Sequence, residues 1–387
     1  MKVPKIMTPG PTEVRENVRF ARALSTTNPD LDLEFYDFYR ATCEKIGKIL
    51  NTKNQIRILS GEGILGLEAA CASLTEKEDR VLVIDNGIFG EGFGDFIKIY
   101  GGRPVYFKAD RHRSINIDEL KSFLDKDCDF KYATLVHCDT PSGVLNDISK
   151  ICPLLKEKGI MTVVDSVAGM GGQNVNVDAW KIDIVLGGSQ KCFSAPPGLT
   201  FLSISEDAFK SMKNRKTPIA SFYCNLLIWE DYYKNKWFPY TMPISDIMGL
   251  DKAADNILEE GTYNMQMRHK IIGEAVRKAV SAAGLKLYIE DGFSNTVTVI
   301  KVPSGINDAK LRDYMSEKFN VMIAGSFGYL GGKVIRIGHM GENARLDKVS
   351  YTLSALQESL KHFGFEPECN MAQVFTDEIQ RNSFHKV

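Results

Sequence analysis

Apolar residues recur along the first two thirds of the chain in short runs, and polar turns separate each run from a stretch with helical spacing. Phe35, Phe38, Ile46 and Leu50 share one face over residues 32–50, which predicts a helix. Ile56-Arg57-Ile58-Leu59 predicts a short strand, closed by Ser60-Gly61-Glu62-Gly63 and followed by an apolar helix over 64–74. The alternation then repeats. Strands are predicted over 80–85, 104–107, 132–138, 161–164 and 182–186. Helices are predicted over 87–100, 117–124 and 148–158, the last stopped by Gly159. Apolar, β-branched strands alternating with helices predict an α/β fold whose mainly parallel sheet is covered on both faces.

The pattern changes after about residue 257. A long amphipathic helix over 256–283 leads to an alternating, half-buried strand over 296–302. A helix over 308–319, strands over 321–324 and 333–337, and a helix over 346–362 complete a small α+β domain. The expected organisation is an irregular N-terminal arm (1–20), a large domain (21–257), a small C-terminal domain (258–365) and a polar, loosely ordered tail (366–387).

Composition narrows the function. A net charge of -1 leaves no basic excess for nucleic acid. No run of residues has the apolar length to span a bilayer, and Met1-Lys2-Val3-Pro4-Lys5 lacks the apolar core of a secretion signal. The eight cysteines form no CxxC pair and the six histidines form no cluster. The expectation is a cytoplasmic protein with reduced thiols, no metal, and no nucleic-acid or membrane partner.

Ligands of such sheets bind beyond the carboxyl ends of the strands. Ser60-Gly61-Glu62-Gly63, His137-Cys138-Asp139-Thr140, Asp165-Ser166 and Gly187-Gly188-Ser189-Gln190-Lys191 all end or follow strands, so they are expected at one edge. Lys191 follows small residues that let a flat ring approach the backbone. A lone lysine in a loop is usually just solvated. Asp165 changes that reading. It ends the apolar strand Val163-Val164-Asp165, where a carboxylate is costly unless paired. An amine and a carboxylate at successive strand ends suit pyridoxal 5′-phosphate (PLP): the lysine forms an imine, and the anion keeps the pyridine nitrogen protonated. The Gly61-Glu62-Gly63 turn opens a helix whose N–H groups suit a phosphate, with Ser189 and Gln190 as further donors. Glu62 is awkward there, because a carboxylate repels a phosphate unless its side chain turns away. Phe89 suits stacking on the ring, and Thr140, with Ser142 as second choice, suits its O3′. His137 is read as a packed strand residue. Arg336, inside the apolar strand Val334-Ile335-Arg336-Ile337-Gly338, wants an anion: a substrate carboxylate, or a structural Asp or Glu.

Together these residues resemble the class V (fold type I) aminotransferases, nearest the alanine–glyoxylate, serine–pyruvate and serine–glyoxylate branch. The resemblance runs from Pro9-Gly10-Pro11-Thr12 to about His362. It is most specific at Val164-Asp165-Ser166-Val167, at Gly188-Ser189-Gln190-Lys191 with Ala195-Pro196-Pro197-Gly198, and at Val334-Ile335-Arg336-Ile337-Gly338. It implies a large PLP domain with a seven-stranded sheet, a small C-terminal domain, and a homodimer with active sites at the interface. It implies a ping-pong transfer of an amino group from alanine or serine to glyoxylate or pyruvate. It also implies a Schiff base at Lys191, Asp165 on the pyridinium, and Val167 against the ring face opposite Phe89. Gly63, Gln190 and a partner-subunit Thr241 become phosphate contacts, with Glu62 and Ile64 beside them. Arg336 holds the substrate carboxylate, and Gly10 lies near the substrate.

Some positions depart from that pattern. Glu62 stands where a serine is usual, Ile64 where a histidine or threonine often follows, Pro141 where a hydroxyl is common, and Phe238 where some relatives have a tyrosine. Other class V chemistries compete. A desulfurase needs a loop cysteine that 323–328 lacks, and Cys192 is read as packing. A 2-aminoethylphosphonate–pyruvate transaminase, a lyase, or a ring-free binding protein on the same fold remain as alternatives.

Overall fold

The computed structural model describes residues 3–384. Met1 and Lys2 of the expected arm, and His385, Lys386 and Val387 of the expected tail, lie outside the described residues. Seven strands form the central sheet: β1 (Gln55–Ser60), β2 (Arg80–Asp85), β3 (Arg103–Lys108), β4 (Tyr132–Val136), β5 (Met161–Asp165), β6 (Ile184–Gly188) and β7 (Leu199–Ile204). Their spatial order is β1-β7-β6-β5-β4-β2-β3. From β6 to β3 every pairing is parallel. All five residues of β4 are buried, as expected for a strand with cover on both faces.

The sequence pattern did not predict β7. It is antiparallel to both neighbours, pairing Leu199 with Ser60 and Thr200 with Gly188. Its insertion sets the turn after β1 and the turn after β6 at the same edge. Helix α1 (Gly63–Leu74) lies close on this part of the sheet: a Cβ on Gly66 would meet Thr200 Oγ1 at 2.6 Å. Helix α2 (Ile88–Ile99) follows β2.

Outside the central sheet the chain differs from expectation in four places. The helix expected over 256–283 is two helices, α3 (Ile244–Glu260) and α4 (Thr262–Ala282). Gly261 separates them at φ 84°, a backbone conformation that ends a helix. Strand β8 (Val297–Lys301), paired antiparallel with β9 (Val334–Gly338), is buried rather than half-buried except at Lys301. One face packs Ile300 with Ile335 and Ile337, and the other packs Val297 and Val299 with Cys138, Val144 and Ala168. The arm is not irregular throughout. Lys5–Ile6 pairs parallel with Val321–Met322, and Glu16–Arg22 is helical. The tail is not loose over most of its length, because helix α5 (Met371–Phe384) buries Met371 and Phe375 in the small-domain core. Among the described residues no helix is long and apolar enough to cross a membrane.

Candidate active site

The carboxyl edge of the sheet holds a cavity of about 150 Å³. It is lined by Glu62, Gly63 and Ile64 from the start of α1, by Phe89 from α2, and by Cys138, Thr140, Asp165, Val167, Gln190 and Lys191 from the turns after β4, β5 and β6. Leu67 and Ala168 complete the wall. Because β5 and β6 are adjacent and parallel, Asp165 at one tip and the Lys191 turn past the other open into the same cavity. Nine of the twelve residues expected at the site line it. Gly10, Arg336 and Thr241 do not.

Burial dominates the electrostatics. The Asp165 carboxyl is pushed up to about 7 by loss of solvent, against the Val167 N–H, which donates to Oδ1 at 2.9 Å. Burial, then the Arg336 charge, lowers the Lys191 amine from its ordinary value, while Asp165 pulls the other way. Lys191 Nζ donates to the Pro9 carbonyl at 2.5 Å. Gly10, next to that carbonyl, has φ 95°, and a Cβ there would come within 2.4 Å of Lys191 Cδ. Gly10 is thus packed directly on the lysine, and a side chain there would strain the backbone and push the lysine aside.

Arg336 reaches the site from β9. Its Nε donates to Gly325 O at 2.5 Å and its Nη1 to Thr140 O at 3.2 Å. It is nine-tenths buried and touches no Asp or Glu in an ion pair among the described residues, although the nearby Asp139 carboxylate attracts it through space. Burial brings its guanidinium down to about 10. Thr140 lends its carbonyl to Arg336 and remains on the cavity wall. Ser142 is committed elsewhere, donating to Asp139 Oδ2 at 2.6 Å. His137 is packed as expected: burial lowers it to about 4, and Nδ1 lies 2.9 Å from Ser166 Oγ. Cys192 is buried, and its thiol is pushed up to about 12. Thr241 is exposed, and the hydrogen bond its hydroxyl makes runs to Asp30 at 3.5 Å.

Sequence reasoning passed over Asp139. Its carboxylate accepts from the Phe89 N–H at 3.1 Å and from Ser142, so it fixes the start of α2, which carries Phe89. It is fully buried, and loss of solvent raises its carboxyl. The clue was the one that identified Asp165: an acid following a fully buried strand. Pro9, whose carbonyl holds the lysine, left no such clue.

The donor set fits the ring end of PLP. A buried carboxyl suits a protonated pyridine nitrogen, a buried amine suits an aldehyde, and Val167 and Phe89 supply flat apolar contact. The 5′ end is different, because the Glu62 carboxylate already accepts from the Ile64 N–H at 3.1 Å.

The fold is that of PLP-dependent aminotransferases. The ureidoglycine–glyoxylate aminotransferase of Bacillus subtilis superposes with a TM-score of 0.94 at 30% identity, over 98% of this chain and 99% of that one. Residues 17–334 match the family model "Aminotransferase class-V", and the chain belongs to that family. It is 34% identical to a pyridoxamine–pyruvate transaminase of Mesorhizobium japonicum, over 87% of this chain and 86% of the relative. It is 30% identical to an alanine–glyoxylate aminotransferase of Callithrix jacchus, over 92% and 87%. The chain is therefore a PLP-dependent transaminase, an enzyme that moves an amino group onto a 2-oxo acid. The aminoethylphosphonate and lyase alternatives are not favoured.

Proposed function

We propose that this transaminase takes its amino group from a small amino acid, alanine or serine, and delivers it to glyoxylate or pyruvate in ping-pong order. The observation that carries this reading is Arg336: a buried guanidinium beside the cavity that donates to two carbonyls and to no carboxylate. A 2-oxo acid brings a carboxylate that a planar guanidinium grips through two parallel hydrogen bonds. The relatives above are named for glyoxylate or pyruvate as acceptors.

PLP, when bound, supplies an aldehyde for amine exchange and an electron-withdrawing ring. Lys191 Nζ is the amine that would hold the aldehyde. Released from it, the same nitrogen takes the proton from the substrate Cα, and its depressed pKa keeps a neutral fraction for that task. Asp165 holds a proton on the pyridine nitrogen, and a cation there draws the carboxyl back toward its ionised form. Val167 and Phe89 would hold the ring between them, and Thr140 would meet its oxygen. Gly63, Ile64 and Gln190 lie at the 5′ end. Gly10 leaves room at the lysine for the substrate. Thr241 meets the site across a homodimer interface. Exposed Phe222, Tyr223 and Trp237 support that interface, since large apolar groups in water are what an interface covers. The expected location is the cytoplasm.

A panel of amino donors against glyoxylate, pyruvate and 2-oxoglutarate, read by mass spectrometry of the new amino acid, tests the reading. Alanine or serine with glyoxylate or pyruvate should lead. 2-Oxoglutarate should trail, because beyond Arg336 its second carboxylate meets no cation on the cavity wall except Lys191. Lys191→Ala should lower turnover by about 10⁴-fold. Sustained turnover in that variant would refute the lysine assignment.

A further inference from the structure

The start of α1 is where the reading above seats a phosphate, and an anion of the chain itself is already there. Glu62 precedes the helix and turns its side chain back over it. Oε1 accepts from the Ile64 N–H at 3.1 Å, and Oε2 lies 3.5 Å from Gln190 Nε2. These are the donors a phosphate would use. A helix N-terminus carries about half a positive charge, which one anion satisfies. A dianion brought to the same N–H groups meets a like charge at hydrogen-bonding range. Among the residues lining the cavity, Lys191 is the one cation, and its amine is turned to the Pro9 carbonyl.

A second observation comes from Gln190. It is more than nine-tenths buried, its amide nitrogen faces Glu62, and its Oε1 has no hydrogen-bond partner. An unpaired buried oxygen calls for a donor. An ionised phosphate offers only acceptors. A hydroxyl offers a donor to Gln190 and another lone pair to whatever else lies near.

We propose that Glu62 sets the preference of this seat for the cofactor's 5′ arm. It favours an uncharged hydroxymethyl over a phosphate, so the unphosphorylated rings, pyridoxal and pyridoxamine, compete with the phosphorylated cofactor. This rests on the placement of the ring against Lys191 and Asp165 given above. Glu62 acts as a specificity-determining residue whose carboxylate must leave the helix before a phosphate can settle.

The test uses full-length protein freed of ring, as wild type, Glu62→Ser and Glu62→Gln. Each is titrated with pyridoxal and, separately, with PLP. Borohydride traps the lysine-bound ring, and intact mass gives the bound fraction. Serine is a better helix cap than glutamate, so Glu62→Ser should melt no lower than wild type. Wild type should hold pyridoxal at least as tightly as PLP. Glu62→Ser should tighten PLP by about tenfold or more while moving pyridoxal by less than about threefold. Glu62→Gln, which keeps the reach and loses the charge, should shift PLP the same way. Wild type holding PLP at least about tenfold tighter than pyridoxal, with both variants unchanged, overturns the role of Glu62. A wild type that traps neither ring on Lys191 overturns the ring seat itself, and this proposal with it.

Discussion

The two edges of the central sheet are both lined with charge, and they treat it in opposite ways. At the amino edge a groove of about 680 Å³ runs past Gln55, Ile182, Asp183 and Glu206. It is the larger hollow, yet its buried charge is neutralised. Asp183 accepts from Lys156 at 2.7 Å, from the Thr162 N–H at 3.0 Å and from Ser205 Oγ at 3.1 Å. Lys156 also pairs with Asp207 at 3.1 Å, and Lys213 with Glu230 at 2.5 Å. At the carboxyl edge Asp165 receives one N–H, Lys191 rests on a carbonyl, and Arg336 rests on two. Charge held out of water without its counter-charge is expensive, and a fold keeps it where a ligand completes the pairing. Size would have picked the wrong edge.

The contrast can be broken most severely at Arg336. Arg336→Ala should cost about 3 kcal/mol of transition-state binding, a drop in kcat/KM near 10²-fold, mostly as a higher KM for the 2-oxo acid. Steady-state kinetics with glyoxylate and pyruvate check it. An unchanged KM would mean that another group holds the substrate carboxylate.

The same substitution made at each edge should have opposite signs. Asp165 sits above the ordinary carboxylate range, so the native state keeps a proton that the unfolded chain has lost. Stability of ring-free protein should therefore fall as pH rises from about 4 to about 7, and then level off. Asp165→Asn removes that slope and should stabilise the ring-free protein by on the order of 2 kcal/mol above pH 7, while abolishing most turnover. Asp183→Asn should instead destabilise by on the order of 2 kcal/mol, because Lys156 loses its counter-charge and one of the two acceptor oxygens becomes an NH2 donor. Thermal melts across pH, without added cofactor, distinguish the two. Like signs would erase the contrast between the edges.

The smallest effect belongs to an exposed pair at the amino groove. Lys213→Ala should shift stability by less than about 1 kcal/mol and leave turnover unchanged, as a half-exposed ion pair contributes little. A loss of activity there would give the amino edge a role that its paired charges argue against.

Most of the site was legible because its residues announce themselves locally. Asp165 is an acid at the end of an apolar run, and Lys191 follows small residues at the next strand end, so strand alternation alone brings them together. Strand β7 was not legible in that way. Leu199–Ile204 finds its place by pairing with residues far back in the chain, and local periodicity carries no record of such a partner. Helix α5 did leave a trace: Met371, Phe375 and Ile379 recur at helical spacing inside a polar stretch, and composition outweighed periodicity. Glu62 was legible as a misfit, but the direction of its side chain, back onto the Ile64 N–H, belongs to three dimensions. The role of Gly10 was only half visible, since nothing local says that a lysine 181 positions away will press against it.

The N-terminal segment links both halves of the chain to Lys191. Lys5 aligns with Val321, the Gly338 N–H donates to Met7, and the Thr12 N–H donates to Gln190 beside the lysine. During synthesis on the ribosome, these first residues emerge long before any of their seats exist. They must wait, unpartnered, until nearly the whole polypeptide has followed, and only then does the Pro9 carbonyl reach Lys191. A nascent chain interrupted between residues 191 and 321 would carry the lysine and the strap but lack the strand that seats the strap.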